Sequence, residues 1–104
     1  QFFQKILLDE NSWTKEVLMA LEGLSRLKNP AFLPAVLARL AIAKRQLAAI
    51  SAYYKNPLSG IAKKTEAENL QVRFFCLETL RNFPASVAPE IQAVIKEETA
   101  YWKE

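Results

Sequence analysis

Apolar residues recur along this chain at steps of three and four, which is the period of an α-helix. No segment alternates apolar and polar residues strictly enough to indicate a strand. The spacing predicts five helices, over residues 2–8, 13–27, 33–54, 65–82 and from 86 or 88 to 102. We therefore expect an all-α fold in which one short helix precedes four main ones.

The third predicted helix is the longest and carries two apolar stripes. The first stripe has heptad-like spacing and consists of Leu33, Val36, Leu40, Ala43, Leu47, Ile50 and Tyr54. The second stripe consists of Ala35, Ile42, Ala49 and Tyr53. A helix that is apolar on two sides is typically enclosed by neighbouring helices, so we expect this helix to lie between others.

Turn and capping residues predict the start of the fourth helix. Residues 56–64 contain proline, serine and glycine, which is typical of a loop. Residues 65–68 (TEAE) then match a capping box, in which the Thr65 hydroxyl accepts a backbone N–H and Glu68 reaches back. The residues expected to face the core from this helix are Leu70, Phe74, Leu77 and Leu80, with Cys76 beside them as a small core residue.

Two stretches of the chain align with an offset of 56 residues. Residues 20–24 (ALEGL) match residues 76–80 (CLETL). In both copies the helix is followed by a proline, a small residue and a second proline that opens the next helix. Duplication of a helix pair is how α-solenoids are built, so the alignment indicates an internal repeat.

The residues at these points resemble the HEAT-like repeats. Residues 29–37 (NPAFLPAVL) are similar to that family's Asp-Pro-x-x-Val-Pro-x-Leu helix entry, and residues 72–80 (VRFFCLETL) to its Val-Arg-x-x-Ala-x-x-x-Leu helix. The resemblance covers residues 12–98. It implies a short stack of two antiparallel helix pairs, an α-α superhelix. The alternative that the spacing leaves open is a four- to five-helix bundle.

The length of 104 residues is that of one domain, so residues 1–104 are expected to form a single all-helical unit. The first residue is Gln1 and the only methionine is Met19, so we expect a piece of a longer chain. No apolar run approaches the ~20 residues that a membrane span needs. The single cysteine cannot form an internal disulfide, which favours an intracellular location.

Residues suited to catalysis are scarce in this sequence. There is no histidine, which excludes Ser-His and Cys-His nucleophiles and removes the commonest metal ligand. Ser59 and Lys63 are interpreted as a turn serine beside a solvated lysine. The carboxylate pairs Glu66/Glu68 and Glu97/Glu98 lie at predicted helix ends and are given structural roles. We expect no enzymatic activity, no cofactor and no metal ion.

The charge distribution gives the clearest functional indication. The net charge is +3, yet residues 23–65 hold eight basic residues and no acidic one, whereas residues 66–104 hold seven acidic and four basic residues. Such asymmetry is typical of a chain that binds an anionic partner. The candidate contact residues are Arg39, Lys44, Arg45, Lys55, Lys63 and Lys64.

These features predict a protein-interaction or scaffold module whose partner is a protein, and an acidic surface on that partner would complement the basic segment. The alternative is a basic helical module that binds nucleic acid or another polyanion. The heptad-like stripe also admits a homo-oligomer. Aromatic residues at both termini, Phe2, Phe3, Tyr101 and Trp102, either cover the core by folding back or contact neighbouring repeats.

Overall fold

The structure is a computed structural model that describes residues 2–10, 12–53, 59–83 and 89–103, without the side chains of 51–53 and 59–65. Over these residues the chain forms five α-helices and one 3-10 turn, and no strand. The helices are α1 (Phe2–Leu8), α2 (Thr14–Leu27), α3 (Leu33–Tyr53), α4 (Ser59–Arg81) and α5 (Pro89–Lys103), and the 3-10 turn is Pro30–Phe32. The predicted all-α fold is confirmed.

The junction between α2 and α3 is built by three consecutive residues. Lys28 adopts the left-handed conformation and donates its backbone N–H to the Leu24 carbonyl, which ends α2. The Asn29 side chain accepts the Ala31 backbone N–H at 3.0 Å. Proline then opens the 3-10 turn, because its fixed φ suits the first turn of a helix. The predicted bounds of α2 and the predicted start of α3 agree with the structure to within one residue, whereas the predicted end of α3 at residue 54 lies outside the described residues.

The start of α4 differs from the prediction. The chain is already helical at Ser59, so residues 59–64 are helical and Thr65 to Glu68 lie inside the helix. The capping box, and the placement of Glu66 and Glu68 at a helix N-terminus, are therefore wrong. Residues 61–64 (IAKK) include good helix formers, which extend the helix towards its N-terminus. The predicted loop residues 56–58 lie outside the described residues.

Glu68 has a tertiary partner instead of a capping partner. Its carboxylate accepts the Thr14 hydroxyl at 3.2 Å, at the first turn of α2. At the other end of the same interface the Asn82 side chain donates to the Ser25 hydroxyl. These two contacts show that α2 and α4 run in the same direction. The paired residues are 54 and 57 positions apart, close to the 56-residue offset of the sequence alignment.

The molecule is flattened, because its shortest dimension is half of the next one. The Cα atoms span 46 × 30 × 15 Å. The shortest dimension matches two stacked helices, whose axes lie about 8–10 Å apart and whose Cα radius is about 2.3 Å. The most extensive backbone contact is between α3 and α4, while α2 packs on α4 and α1 packs on both α2 and α3.

A single apolar cluster joins all five helices. Its buried members are Leu7, Val17, Ala20, Leu21, Leu24, Leu33, Ala35, Val36, Leu40, Ala43, Val72, Cys76, Leu80, Phe83 and Ile91. The burial of Leu7 confirms that the first segment folds back over the core. Cys76 is fully buried, as predicted, and burial raises the pKa of its thiol to about 12.

The two stripes of α3 are enclosed along the first half of the helix. The first four positions of the heptad-like stripe are buried, whereas Leu47 and Ile50 are half-buried. In the second stripe Ala35 and Ile42 are buried and Ala49 is exposed. Tyr54 and the side chain of Tyr53 lie outside the described part of the chain. The prediction that α3 lies between neighbours therefore holds for its N-terminal half.

Candidate functional site

Arg39 was expected at a partner surface, but its side chain is buried in α3 with 4% exposure. One terminal nitrogen, Nη1, donates to the Asp9 carbonyl at 2.9 Å and lies 3.5 Å from the Leu7 carbonyl. Burial disfavours the charged form and lowers the pKa of this guanidinium. The periodicity of α3 could not reveal that α1 covers this flank, and the expectation of an exposed Arg39 is corrected.

Lys44 and Arg45 remain on the surface, where each meets a carboxylate of another element. The Lys44 Nζ lies 3.5 Å from the Glu97 Oε1 on α5. Arg45 pairs with Glu10, which follows α1. Exposed ion pairs of this kind contribute at most about 1 kcal/mol, so both cations can exchange their partners. The two residues face different neighbours and do not form one row.

The side chains of the other three predicted contact residues lie outside the described set. Lys55 lies outside the described residues. Lys63 and Lys64 belong to α4, whose first turns are helical, but their side chains are outside the described set. A basic surface formed by these lysines stays a prediction.

The Glu97/Glu98 pair divides into one exposed and one buried carboxylate. The Glu98 side chain is 1% exposed and accepts two hydrogen bonds from Arg73, from Nε at 2.7 Å and from Nη2 at 2.9 Å. Hydrogen bonding to Glu98 raises the pKa of the Arg73 guanidinium. The Arg73 Cζ also lies 3.4 Å from the centre of the Tyr101 ring. This ion pair between a buried carboxylate and a half-buried guanidinium links α5 to α4.

Beside this ion pair, four exposed aromatic side chains form one surface. This aromatic surface consists of Phe74 and Phe75 on α4 and Tyr101 and Trp102 on α5. Trp102 meets Phe74 and Tyr101 edge to face, with ring centres 5.4 and 5.1 Å apart, and Phe74 meets Phe75 at 6.2 Å. Each of the four residues is 36–41% exposed. The rings therefore support one another while a large part of each contacts solvent.

The sequence indicated only half of the aromatic surface. The sequence marks Tyr101 and Trp102 as terminal aromatics, whereas its periodicity predicts that Phe74 faces the core. Phe74 is 41% exposed, and Leu70 is half-buried, while Leu77 and Leu80 are buried as predicted. Phe74 and Phe75 are adjacent, and neighbouring positions on a helix diverge by about 100°, so both cannot face inward. The adjacency of the two phenylalanines was therefore the sequence feature that could have indicated an exposed aromatic residue on α4.

The described part of the chain also has two open grooves on its surface. One, of about 260 Å³, lies between α3 and α5 and is lined mainly by Leu37, Leu40, Ala41 and Val94, with Lys44 and Glu97 at its rim. The other, of about 440 Å³, lies at the start of α2, between Trp13 and Glu68. Within the described ranges no cluster of three histidine, cysteine or acidic residues could hold a metal ion.

None of the helices, over their described residues, is both long and apolar enough to cross a bilayer.

No family model, no curated protein and no solved structure matches this chain.

Proposed function

We propose that this chain is a non-enzymatic protein-interaction or scaffold module, and that the aromatic surface is where it contacts a protein partner. The observation that carries the proposal is the exposure of Phe74, Phe75, Tyr101 and Trp102 in one contiguous group. Soluble proteins seldom leave large apolar side chains grouped in water unless another molecule covers them. Tryptophan and tyrosine are also the residues that most often dominate the affinity of protein interfaces.

The contacts that hold the aromatic surface in place support a binding role. Arg73 is held by Glu98 on one side and lies against the Tyr101 ring on the other. The edge-to-face contacts of Trp102 limit the rotamers of the remaining rings. A surface that is ordered before binding loses little conformational entropy on association, which favours affinity.

The HEAT-like interpretation is part of the same proposal. Support comes from the parallel packing of α2 on α4, at a register close to the 56-residue alignment offset. Three aligned pairs are buried in both copies: Ala20 with Cys76, Leu21 with Leu77, and Leu24 with Leu80. Successive helix pairs of an α-solenoid pack in this repeated way and present extended surfaces to partners.

The experiment compares proteins captured from the native extract by three immobilised chains. The test variant is Phe74→Ala/Trp102→Ala, and the matched control is Trp13→Ala, which removes an indole that is 77% exposed on a different helix end. We expect a saturable partner that binds the wild type and Trp13→Ala and is lost with the double variant. Circular dichroism verifies that all three chains are folded. Capture of the same proteins by the double variant would contradict the proposal.

The alternative function, binding of nucleic acid or another polyanion, is favoured by the eight cations of residues 23–65. Its test is a fluorescence titration with duplex and single-stranded DNA at low and moderate salt. Micromolar binding that weakens steeply with salt, and that is reduced by charge reversal at Lys55, Lys63 and Lys64, supports this alternative. Binding that is insensitive to those three changes excludes that cluster as the contact.

A further inference from the structure

We propose that the groove between α2 and α3 is a helix-binding site, that α1 is its resident occupant, and that it accepts a partner's short amphipathic helix ending in a carboxylate. This site is separate from the aromatic surface and does not depend on the function proposed for it.

The packing of α1 resembles that of a peptide helix bound in a groove. It packs against both α2 and α3. Its anchors are Phe3 and Leu7, one turn apart on the same face. Leu7 is fully buried, and the Phe3 ring lies directly over Gly23 of α2. A Cβ at Gly23 would lie 2.7 Å from that ring, so the glycine creates the space for the aromatic anchor. Anchors at i and i+4 are the usual pattern of helix-in-groove recognition.

The far end of the groove recognises a helix C-terminus. The last carbonyls of any helix lack partners within the helix. In α1 the Lys5 carbonyl accepts the Asp9 N–H, and the Ile6 carbonyl accepts the Ser12 hydroxyl at 2.8 Å. The remaining contacts come from the core, where the Arg39 guanidinium donates to the carbonyls of Leu7 and Asp9. A buried cation thus closes the groove at the negative end of the helix.

Backbone carbonyls satisfy the hydrogen-bond donors of this cation only in part, while the Asp9 carboxylate, which follows the resident helix, interacts with its charge. The Nε of Arg39 is buried and has no hydrogen-bond partner among the described residues, and the contact of Nη1 with Leu7 is long at 3.5 Å. The same chain contains an arginine whose donors are better satisfied, since Arg73 donates from both Nε and Nη2 to the Glu98 carboxylate at 2.7 and 2.9 Å. A carboxylate offers two charged acceptors to a guanidinium, and such bonds are stronger than those to neutral carbonyls. The charge of the groove therefore favours a helix that ends in a carboxylate.

The resident helix α1 is weakly held, because it is short and few of its side chains are buried. It has seven residues, and helices of this length are unstable without tertiary contacts. Only one of its side chains is fully buried. Its advantage over a partner is the short connection to α2, which keeps it at an effective concentration of roughly millimolar. A partner helix must overcome that advantage, and the terminal carboxylate supplies the additional interaction.

The test uses the full chain and a fluorescein-labelled peptide of residues 1–7, QFFQKIL, with either a free carboxylate or a terminal amide. The Leu7 carboxylate of this peptide falls where the Leu7 carbonyl now meets Arg39. Fluorescence anisotropy is measured with the wild type and with Leu7→Ala, in which the resident helix has lost its buried anchor. We expect the acid to bind Leu7→Ala about tenfold more tightly than the amide does, and to bind the wild type more weakly than Leu7→Ala.

The controls isolate Arg39 and the fold. Arg39→Met in the Leu7→Ala chain should abolish the preference for the acid, whereas Arg26→Met, which removes an exposed guanidinium on α2, should keep it. If Leu7→Ala fails to fold by circular dichroism, Phe3→Ala weakens the resident helix in its place. Equal affinity for acid and amide, or no binding to a folded, weakened chain at 1 mM peptide, overturns the proposal. The Phe74→Ala/Trp102→Ala change should leave peptide binding intact, which separates this site from the aromatic surface.

Discussion

Lys28 ends α2 in a left-handed backbone conformation, with φ 52° and ψ 29°. It is the only non-glycine residue with positive φ in the described part of the chain. A side chain with a Cβ is strained in this region, whereas glycine adopts it readily and is the common residue at this position after a helix. The lysine keeps a cation near the helix C-terminus, where the macrodipole favours it, but that gain is small on the surface.

Lys28→Gly is therefore expected to stabilise the chain by about 0.5–1 kcal/mol. In a domain of this size the change raises Tm by roughly 2–6 °C, measured by thermal unfolding. Lys15→Gly is the matched control, because it places the same substitution in the right-handed first turn of α2 and should lower stability by less than about 1 kcal/mol. A lower Tm for Lys28→Gly would show that the stabilisation lost with the Lys28 charge exceeds the backbone strain that glycine relieves.

Cys76 gives a prediction about pH. Its thiol keeps a proton up to a pKa of about 12 in the folded chain, whereas an unfolded cysteine ionises near 8.5. Ionisation therefore favours the unfolded state between these values. The contribution of the thiol to stability is constant below about pH 8 and falls as the pH rises through the window, by up to about 1.4 kcal/mol per pH unit.

Urea unfolding of the wild type and Cys76→Ala at pH 8, 9.5 and 10.5 measures this effect. Lysines and tyrosines that titrate in the same range cancel in the difference between the two chains. We expect the free energy of unfolding of the wild type, minus that of Cys76→Ala, to decrease at each step. A difference that stays constant with pH would show that the folded thiol is accessible to ionisation.

At the scale of elements, the attachment of α5 to α4 depends on the buried pair Arg73/Glu98. Glu98→Gln leaves the guanidinium without its countercharge in a site with little solvent, and such losses cost about 3 kcal/mol. The neighbouring Glu97 is a matched control, since its side chain is 72% exposed and its pair with Lys44 is worth little. We expect Glu97→Gln to change the free energy of unfolding by less than about 0.5 kcal/mol.

Chemical denaturation of these variants and of Glu98→Gln/Arg73→Met tests the argument. The double variant should be more stable than Glu98→Gln, because it removes the unpaired cation together with its partner. Equal losses for Glu97→Gln and Glu98→Gln would show that the buried pair does not anchor α5.

Local patterns predicted those elements whose ends are decided by local residues. The junction of α2 and α3 follows from Asn29 and the prolines around it, and the structure agrees there. The Thr65–Glu68 pattern failed because the same residue types also suit a helix interior, where Glu68 meets Thr14. A helix start at Thr65 and a helix interior at Thr65 are distinguished by the tertiary contact of Glu68 with Thr14. These two residues are 54 positions apart, so no local sequence rule includes that contact.

The candidate sites show the same division at the scale of the whole molecule. The burial of Cys76 could be predicted from the face of the helix that it occupies. The burial of Arg39 could not, because it depends on α1, which lies about 30 residues earlier in the chain and folds across α3. The aromatic surface likewise joins Phe74 of one helix to Trp102 of another. A surface that is assembled from distant segments can be predicted only when the topology of the fold is known.

The topology also predicts unequal stability across the molecule. The backbones of α3 and α4 approach each other over a long stretch, whereas α1 has seven residues and one fully buried side chain. Helices with few buried contacts open by local fluctuations at a lower free energy than the core, and hydrogen exchange measures this directly. The amide of Asp9 reports on α1, through its bond to the Lys5 carbonyl, and the amide of Ala43 reports on α3.

We expect Asp9 to exchange through an opening that urea hardly affects, while Ala43 exchanges only on global unfolding. Arg39→Met should reduce protection at Asp9 by about tenfold or more, because the guanidinium no longer donates to the carbonyls at the end of α1. Protection at Ala43 should change only as much as the overall free energy of unfolding, so the ratio between the two amides is the informative quantity. If Asp9 and Ala43 exchange with the same free energy and the same urea dependence, α1 is an integral part of the core, and its release would require unfolding of the whole chain.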